Sequence, residues 1–183
     1  MASLKEVKGR IATVNNTRKI TSAMKMVASA KLHKAQGAIT NMLPYERRLH
    51  GLLTNLLGGS EVLVWNTPRE VKRVALVVFS SNSSLCGGFN ANVIKKYHET
   101  IGILENQGYG KEDIDIYVVG RKMAEAVRKS GYDICEDLSE LADKPTYDAA
   151  ADFASSLVDS FTSGEVSQVV LVYSHFASHG SQP

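Results

Sequence analysis

Residues 17–37, TRKITSAMKMVASAKLHKAQG, have the composition of a helix interior, yet their apolar side chains do not keep to one face. Between Ile20 and Ala30, apolar or small residues point in nearly every direction, which is typical of a helix that is enclosed on several sides. Basic residues recur along the stretch and no acidic residue balances them. The stretch therefore predicts a helix whose partners supply the acidic groups.

The helical composition extends from about Leu4 to about Leu57, interrupted only by three glycines and by Pro44. Pro44 is expected to kink or end the helix, because proline removes one backbone hydrogen bond and clashes with the preceding turn. Some 50 helical residues would span roughly 75 Å, whereas a domain of ~100 residues has a radius of gyration of about 13 Å. The sequence therefore predicts a helix that projects from the remainder of the chain and needs a helical partner.

Apolar residues along this helix follow alternating steps of three and four, the spacing of a coiled-coil seam. The same step then reaches polar residues before it becomes apolar again, so the predicted seam has a polar middle. Its members in chain order are Leu4, Val7, Ile11, Val14, Arg18, Thr21, Lys25, Ala28, Leu32, Ala35, Ile39 and Met42. We interpret the helix as half of a coiled coil that is surrounded by further partners around its middle.

The charge of the 183-residue chain is unevenly distributed, although its net value is only +2. Through His50 there are ten Lys or Arg against two acidic residues, a net charge of +8, and the remainder carries −6. A basic helix can serve as a nucleic-acid arm, lie on an anionic membrane or enter an acidic protein cavity. We favour protein contact, because a nucleic-acid helix would not also need a long apolar seam, and no Trp or Phe precedes Trp65 to anchor it in a membrane.

The second part of the chain predicts an α/β fold with a mostly parallel, Rossmann-like sheet, because apolar runs of strand length alternate with amphipathic helices. We predict domain bounds at 1–57 for the basic helix, 58–70 for a linker and 71–183 for the α/β domain. Asn90 is a candidate N-cap for the first helix of this domain. Glycines 108, 131 and 164 are expected to end its three helices, and the last helix is expected to carry Tyr147, Ala151, Ala154, Val158 and Phe161 on one face. The three predicted strands are VKRVALVVFSS, DIDIYVVG and SQVVLVYSH.

Catalytic and ligand-binding patterns are weak. The loop SLCGGFN lies between a strand and a helix, where phosphate binds in many folds, but it matches neither nucleotide-binding glycine fingerprint and is more simply a tight turn. Cys86 in this loop could be a nucleophile, yet no base accompanies it in the sequence. The histidines and the two cysteines lack metal-ligand spacing, so we expect no cofactor, no metal and two reduced thiols. Neither a signal peptide nor a membrane-spanning run is evident.

Two motifs together give the chain a resemblance to a known family. The stretch KITSAMKMVASAKLHKAQ resembles the N-terminal helix signature of the gamma subunits of F-type ATP synthases, the central rotor shaft, and SLCGGFN resembles their S-x-x-G-L-C-G-G-[FY]-N loop. The opening LKEVKGRIATVNNTRKIT and the segment PYERRL are similar too, so the resemblance covers essentially the whole chain. Ser84 stands where the family usually carries glycine.

The resemblance implies a function without a catalytic residue. The N-terminal helix would pair antiparallel with a long C-terminal helix and enter the hexamer of alpha and beta subunits, while the α/β domain would contact the epsilon subunit and the membrane c-ring. Rotation of this shaft would couple proton or sodium flow to ATP synthesis or hydrolysis at the cytoplasmic face of a bacterial membrane. Members continue into a C-terminal helix that this sequence lacks, which predicts a shortened chain whose seam self-associates or frays.

The resemblance also suggests residue roles. Met24 and Lys25 match the A-M-x-M part of the helix signature, where the shaft would pass the beta subunits. Arg10, Arg18 and Lys19 are expected to contact the hexamer because of their charge and position. The loop residues Cys86, Gly87, Gly88 and Asn90 match the family motif and are expected to be structural. The alternatives are a basic coiled-coil module for nucleic acid or an acidic protein and, after it, a small Rossmann-like enzyme.

Overall fold

The computed structural model describes residues 3–57 and 73–175, so the predicted linker 58–70 lies outside the described residues. Internal contacts divide the chain into two units, Met1–Asn66 and Thr67–Pro183. Among the described residues, the first unit consists of a long helix and the second has an α/β fold, which agrees with the fold class that the sequence predicts. No helix among the described residues is long and apolar enough to cross a membrane.

Helix α1 runs without interruption from Leu4 to Leu57, about 80 Å at 1.5 Å per residue. At its start the hydroxyl of Ser3 accepts a hydrogen bond from the backbone N–H of Glu6 (3.3 Å), which satisfies one of the free donors of the first turn. Pro44 lies inside the helix and does not end it. The large apolar side chains of the seam are exposed, from 39% at Ile39 to 73% at Leu4. The large apolar side chains of the seam are therefore available to a partner.

The α/β unit contains four parallel strands in the order β3-β2-β1-β4. The strands are β1 (Val74–Phe79), β2 (Ile114–Val119), β3 (Glu136–Asp137) and β4 (Gln168–Val172). The helices are α2 (Phe89–Asn106), α3 (Arg121–Lys129), α4 (Ser139–Asp143) and α5 (Tyr147–Ser163), with a 3-10 turn at Lys111–Asp113. An all-parallel sheet of this kind needs a helix in each crossover connection.

Alternate residues of the central strands form the core together with α2 and α3. Leu76 and Ile116 are fully buried, and Tyr97 of α2 and Met123 of α3 pack in the same cluster. Tyr117 is adjacent to Ile116 and therefore points to the other face of the sheet. Its ring lies 5.4 Å from that of Phe153 in α5. Helices α2 and α3 thus cover one face of the sheet and α5 covers the other.

The sequence does not predict β3 and α4. Glu136 and Asp137 are poor strand formers, and β3 forms because the backbone is held against β2. The N–H of Cys135 donates to the carbonyl of Ile116 (2.8 Å), and the N–H of Leu138 donates to the carbonyl of Val118 (2.7 Å). Tertiary hydrogen bonding therefore overrides the local preference of this edge strand.

Helix ends are predicted well, whereas the apolar face predicted for α5 is only partly buried. Gly108, Gly131 and Gly164 all have positive φ and lie within two residues of the ends of α2, α3 and α5. In α5, however, Tyr147 is 86% exposed and Val158 is 39% exposed. Ala151 and Phe161 of the predicted face are half-buried, and so are Phe153 and Leu157, which are not among the predicted residues.

Candidate interaction surface and glycine loop

Helix α1 combines basic side chains with almost no acidic ones. Glu6 pairs with Arg10 across one helical turn (2.7 Å), an exposed contact that contributes about 0.3–0.5 kcal/mol. Among the described residues, this is the only ion pair of α1. The remaining cations of the helix therefore present their charge to solvent or to a partner.

The five predicted contact residues lie in three directions around α1, because Arg10 shares a direction with Met24 and Arg18 shares one with Lys25. Arg18 and Lys19 are adjacent in sequence and so point about 100° apart around the helix axis. The side chain of Met24 is 55% exposed, and Lys25 lies on the seam one heptad after Arg18. The structure thus does not gather these residues into one patch. It distributes them around the helix, an arrangement that suits a partner on several sides.

In the first half of this helix, three threonine hydroxyl groups donate hydrogen bonds to backbone carbonyls of the helix itself. Thr13 donates to the carbonyl of Gly9 (3.1 Å), Thr17 to that of Thr13 (3.0 Å) and Thr21 to that of Thr17 (3.0 Å). Each hydroxyl thus returns to the preceding turn of its own backbone, a pattern that slightly weakens a helix. The middle of the seam therefore contains a threonine whose donor is already used.

The glycine loop precedes α2 and is held by Asn90. The side-chain oxygen of Asn90 accepts from the N–H (3.0 Å) and the hydroxyl (3.1 Å) of Ser81. Its amide nitrogen donates to the carbonyl of Ser83 (2.9 Å) and contacts the sulfur of Cys86 (3.1 Å). The prediction that Asn90 caps α2 is wrong, since Gly88 occupies the N-cap position. Asn90 lies inside the first turn, and its side chain is already engaged by the loop.

Two glycines in this loop have different backbones. Gly87 has φ +59, in the left-handed region that side chains rarely adopt, and a Cβ there would meet no atom within 4 Å. Gly88 has an ordinary helical φ of −80. Glycine is therefore needed at position 87 for conformation and not for space.

Cys86 lies in a neutral polar environment. Its sulfur contacts Asn90, the hydroxyl of Ser81 (3.7 Å) and the carbonyl of Ser83 (3.6 Å). None of these groups is a general base, so the geometry does not activate a thiol nucleophile. Among the described residues, no group of three His, Cys, Asp or Glu side chains is placed to hold a metal ion.

The first turn of α3 follows β2, and the free N–H groups at a helix N-terminus commonly bind anions. Here the side-chain oxygen of Asn82 accepts from the N–H of Arg121 (2.8 Å), and the hydroxyl of Ser80 accepts from the N–H of Met123 (2.9 Å). Asn82 also donates to the carbonyl of Ser139 (2.9 Å). Two backbone donors that would otherwise face an anion are thus used by the protein itself.

Sequence reasoning missed Ser80 and Asn82 because they belong to a polar run, SSNSS, that has the composition of an ordinary loop. Gly120, which precedes Arg121, is the residue in the sequence that could have indicated this contact. It has φ +120, and a Cβ built on it would lie 2.3 Å from the backbone oxygen of Ser80. A glycine between a strand and a helix thus marks the place where the two loops approach each other closely.

Comparisons with known proteins cover nearly the whole chain. The family model described as ATP synthase matches residues 3–183. The ATP synthase gamma chain of Phocaeicola vulgatus is 59% identical over 184 residues, covering 100% of this chain and 63% of the relative. That of Bacteroides thetaiotaomicron is 56% identical over 186 residues, with 100% and 61% covered. That of Flavobacterium johnsoniae is 40% identical over 185 residues, with 100% and 63% covered. The chain thus spans about three fifths of the length of these relatives.

Proposed function

Because this chain belongs to the family of ATP synthase gamma chains, we propose that it forms part of the central stalk of an F-type ATP synthase. In this role it couples proton or sodium flow to ATP synthesis or hydrolysis by rotating inside the alpha/beta hexamer. The observation that carries the proposal is α1: a 54-residue helix whose described side chains are almost all exposed, with basic residues on several sides. Such a helix can contact an enclosing ring of subunits in every orientation.

In the proposed mechanism, rotation of α1 changes the contacts that each beta subunit makes with it. A ligand or subunit shifts a conformational equilibrium only as far as it interacts differently with the two states. The five predicted contact residues point in three directions around the helix, namely Arg10 with Met24, Arg18 with Lys25, and Lys19 alone. Each orientation of α1 therefore presents a different combination of charge and apolar surface to a given beta subunit. In the proposed mechanism these five residues are the hexamer contacts, and the chain carries no catalytic group of its own.

The α/β unit has a separate role in this proposal. It contacts the epsilon subunit and the membrane c-ring, so the protein is peripheral at the cytoplasmic face of a bacterial membrane and binds no nucleic acid. Within that unit Cys86, Gly87, Gly88 and Asn90 act structurally, and the close hydrogen bonding of the Asn90 side chain supports this role. The proposed organisation is a shaft helix at 1–57, a linker at 58–70 and the α/β domain at 71–183.

Reconstitution tests the proposal. The protein is expressed from its complete open reading frame and mixed with alpha and beta subunits from the same organism. We expect stable co-purification and ATP hydrolysis that depends on this chain. The triple substitution Arg10→Ala, Arg18→Ala and Lys19→Ala should weaken assembly or lower ATPase activity.

The matched control removes two exposed cations from the α/β unit, Lys129→Ala and Lys144→Ala. This control should leave hexamer assembly unchanged. An alpha/beta complex that forms and hydrolyses ATP equally well without the chain would contradict the proposed function.

A further inference from the structure

The middle of the seam of α1 has an unusual composition. In a heptad assignment that begins with Leu4 at position a, the successive a positions are Leu4, Ile11, Arg18, Lys25, Leu32 and Ile39. Four are large aliphatic residues, as a coiled coil requires. The central two are cations, both exposed on a helix that is continuous through them. A partner that covers the whole seam must therefore accommodate two positive charges.

Helix α1 cannot neutralise these charges itself. No acidic residue occurs between Val7 and Tyr45. Glu6 pairs with Arg10 and lies twelve residues before Arg18, which is about 18 Å along a helix. Glu46 lies twenty-one residues after Lys25, about 32 Å away. Within the described part of the chain, neither Arg18 nor Lys25 forms an ion pair.

The seam residue between the two cations does not neutralise their charges. Thr21 occupies the intervening d position, and its hydroxyl donates to the carbonyls of Thr17 (3.0 Å) and Arg18 (3.1 Å). It offers no carboxylate and no free donor to a partner. An unpaired charge inside a packed seam is strongly unfavourable, because the charge loses its water without gaining a counter-charge.

From this arrangement we infer that α1 docks a helix carrying two carboxylates seven residues apart, one opposite Arg18 and one opposite Lys25. The inference rests on the proposed function and refines it: a second helix covers the seam of the stalk helix, Arg18 and Lys25 pair with that helix, and Arg10, Lys19 and Met24 remain as the hexamer contacts. Seven is the spacing of the two cations, and it applies to a parallel and to an antiparallel partner alike. Paired polar residues at such positions fix the register of two helices at some cost in stability.

A second copy of α1 does not satisfy this requirement. In a parallel, in-register pair, Arg18 would face Arg18 and Lys25 would face Lys25, and like charges at facing positions are destabilising. The two cations thus select against self-pairing at this point of the seam and in favour of an acidic helix.

The test uses the full chain and three designed helical peptides of about 35 residues, a length sufficient for stable pairing. All three carry leucine at the other seam positions. The two positions that face Arg18 and Lys25 are Glu in the first peptide, Leu in the second and Lys in the third. Binding is measured by isothermal titration calorimetry at low salt.

We expect the Glu peptide to bind about tenfold or more tightly than the Lys peptide, because close charge pairs in an interface couple with at least that strength. In the chain carrying Arg18→Glu and Lys25→Glu, the preference should reverse in favour of the Lys peptide. The control carries Lys5→Glu and Lys34→Glu, which make the same change of charge at off-seam positions b and c, and it should keep the original order.

Three results would overturn the inference: equal affinity for the Glu and Lys peptides, tightest binding of the Leu peptide, or no binding of any peptide. Equal affinity or a preference for Leu would mean that both cations turn out of the seam. Because no alpha or beta subunit is present, these outcomes are distinguishable from a failure of the proposed function, which is measured by ATPase activity in the hexamer.

Discussion

Asn90 and Ser81 are joined by two hydrogen bonds to one atom: the side-chain oxygen of Asn90 accepts from the backbone N–H (3.0 Å) and from the hydroxyl (3.1 Å) of Ser81. This contact holds the loop after β1 against the first turn of α2. Asn90→Ala should destabilise the α/β unit by about 1–3 kcal/mol, since it leaves part-buried loop groups without partners. Urea unfolding followed by near-ultraviolet circular dichroism measures the change.

Asn92→Ala is the control for this prediction, because Asn92 is an exposed residue in the same turn of α2. It should change the unfolding free energy by less than about 0.5 kcal/mol. Equal effects of the two substitutions would show that the contacts of Asn90 do not stabilise the loop.

Gly120 tolerates no side chain. Its φ of +120 is unfavourable for alanine, and a Cβ would lie 2.3 Å from the backbone oxygen of Ser80. We expect Gly120→Ala to destabilise the unit by about 2–4 kcal/mol through backbone strain and displacement of the Ser80 loop. The same unfolding experiment provides the measurement.

Gly102→Ala makes the same chemical change in a permissive place. Gly102 lies inside α2, and a Cβ there would meet nothing within 4 Å. Its substitution should stabilise α2 by about 0.5–1 kcal/mol, because alanine is the better helix former. If both substitutions destabilise the protein to the same extent, the described packing around Gly120 is wrong.

The contribution of Tyr132 to the free energy of unfolding depends on pH in the alkaline range. Burial raises the pKa of its phenol well above the ordinary value, and the hydrogen bond that it donates to the carboxylate of Glu105 (2.7 Å) raises the pKa further. The folded state therefore keeps this proton at a pH where the unfolded chain, with a tyrosine pKa of about 10, has lost it. Its contribution to stability is complete below that pH and is lost as pH rises beyond it.

Calorimetric melting between pH 8 and 11 tests the effect of Tyr132. The melting temperature should fall less steeply with pH in Tyr132→Phe than in the unsubstituted chain. Tyr147→Phe removes a phenol that is 86% exposed and should retain the original slope. An unchanged slope in Tyr132→Phe would contradict the assigned role of the Glu105 contact.

Pro44 is expected to weaken α1 locally. It lies inside the helix and has no N–H to donate to the carbonyl of Thr40. Pro44→Ala should stabilise the surrounding turns by about 3 kcal/mol, the usual cost of an interior proline. Gly37→Ala, at a position where a Cβ meets nothing within 4 Å, should add only about 1 kcal/mol.

Hydrogen exchange of residues 34–50 distinguishes the two substitutions in α1. We expect stronger protection in Pro44→Ala than in Gly37→Ala. Faster exchange in Pro44→Ala than in the unsubstituted chain would indicate that the proline conformation itself is required there.

Sequence patterns predict elements well where the local signal and the tertiary structure agree. The continuous apolar run of β1 and the strand of β2 are correctly predicted, since central parallel strands are buried on both faces. Gly108, Gly131 and Gly164 follow helix ends because each adopts a positive φ. In these places the residue itself determines the conformation.

Prediction from the sequence fails where contacts between residues far apart in the chain determine the local structure. The acidic residues Glu136 and Asp137 become a strand only through bonds to β2. Asparagine is a residue type that often caps helices. The side chain of Asn90 instead forms hydrogen bonds with Ser81 and Ser83. Likewise, the hydrogen bond from Arg121 to Asn82 joins residues 39 positions apart, and no local pattern in the sequence encodes such a pair.

Single-molecule observation can show whether the protein rotates as the proposed shaft. The complete protein carries Glu140→Cys, at an exposed position of the α/β unit, with Cys86 and Cys135 replaced by serine. A bead is attached to the new thiol, and the alpha/beta hexamer is fixed to a surface. We expect stepwise rotation of the bead in one direction when ATP is added. ATP hydrolysis by the assembled complex with a stationary bead would contradict it.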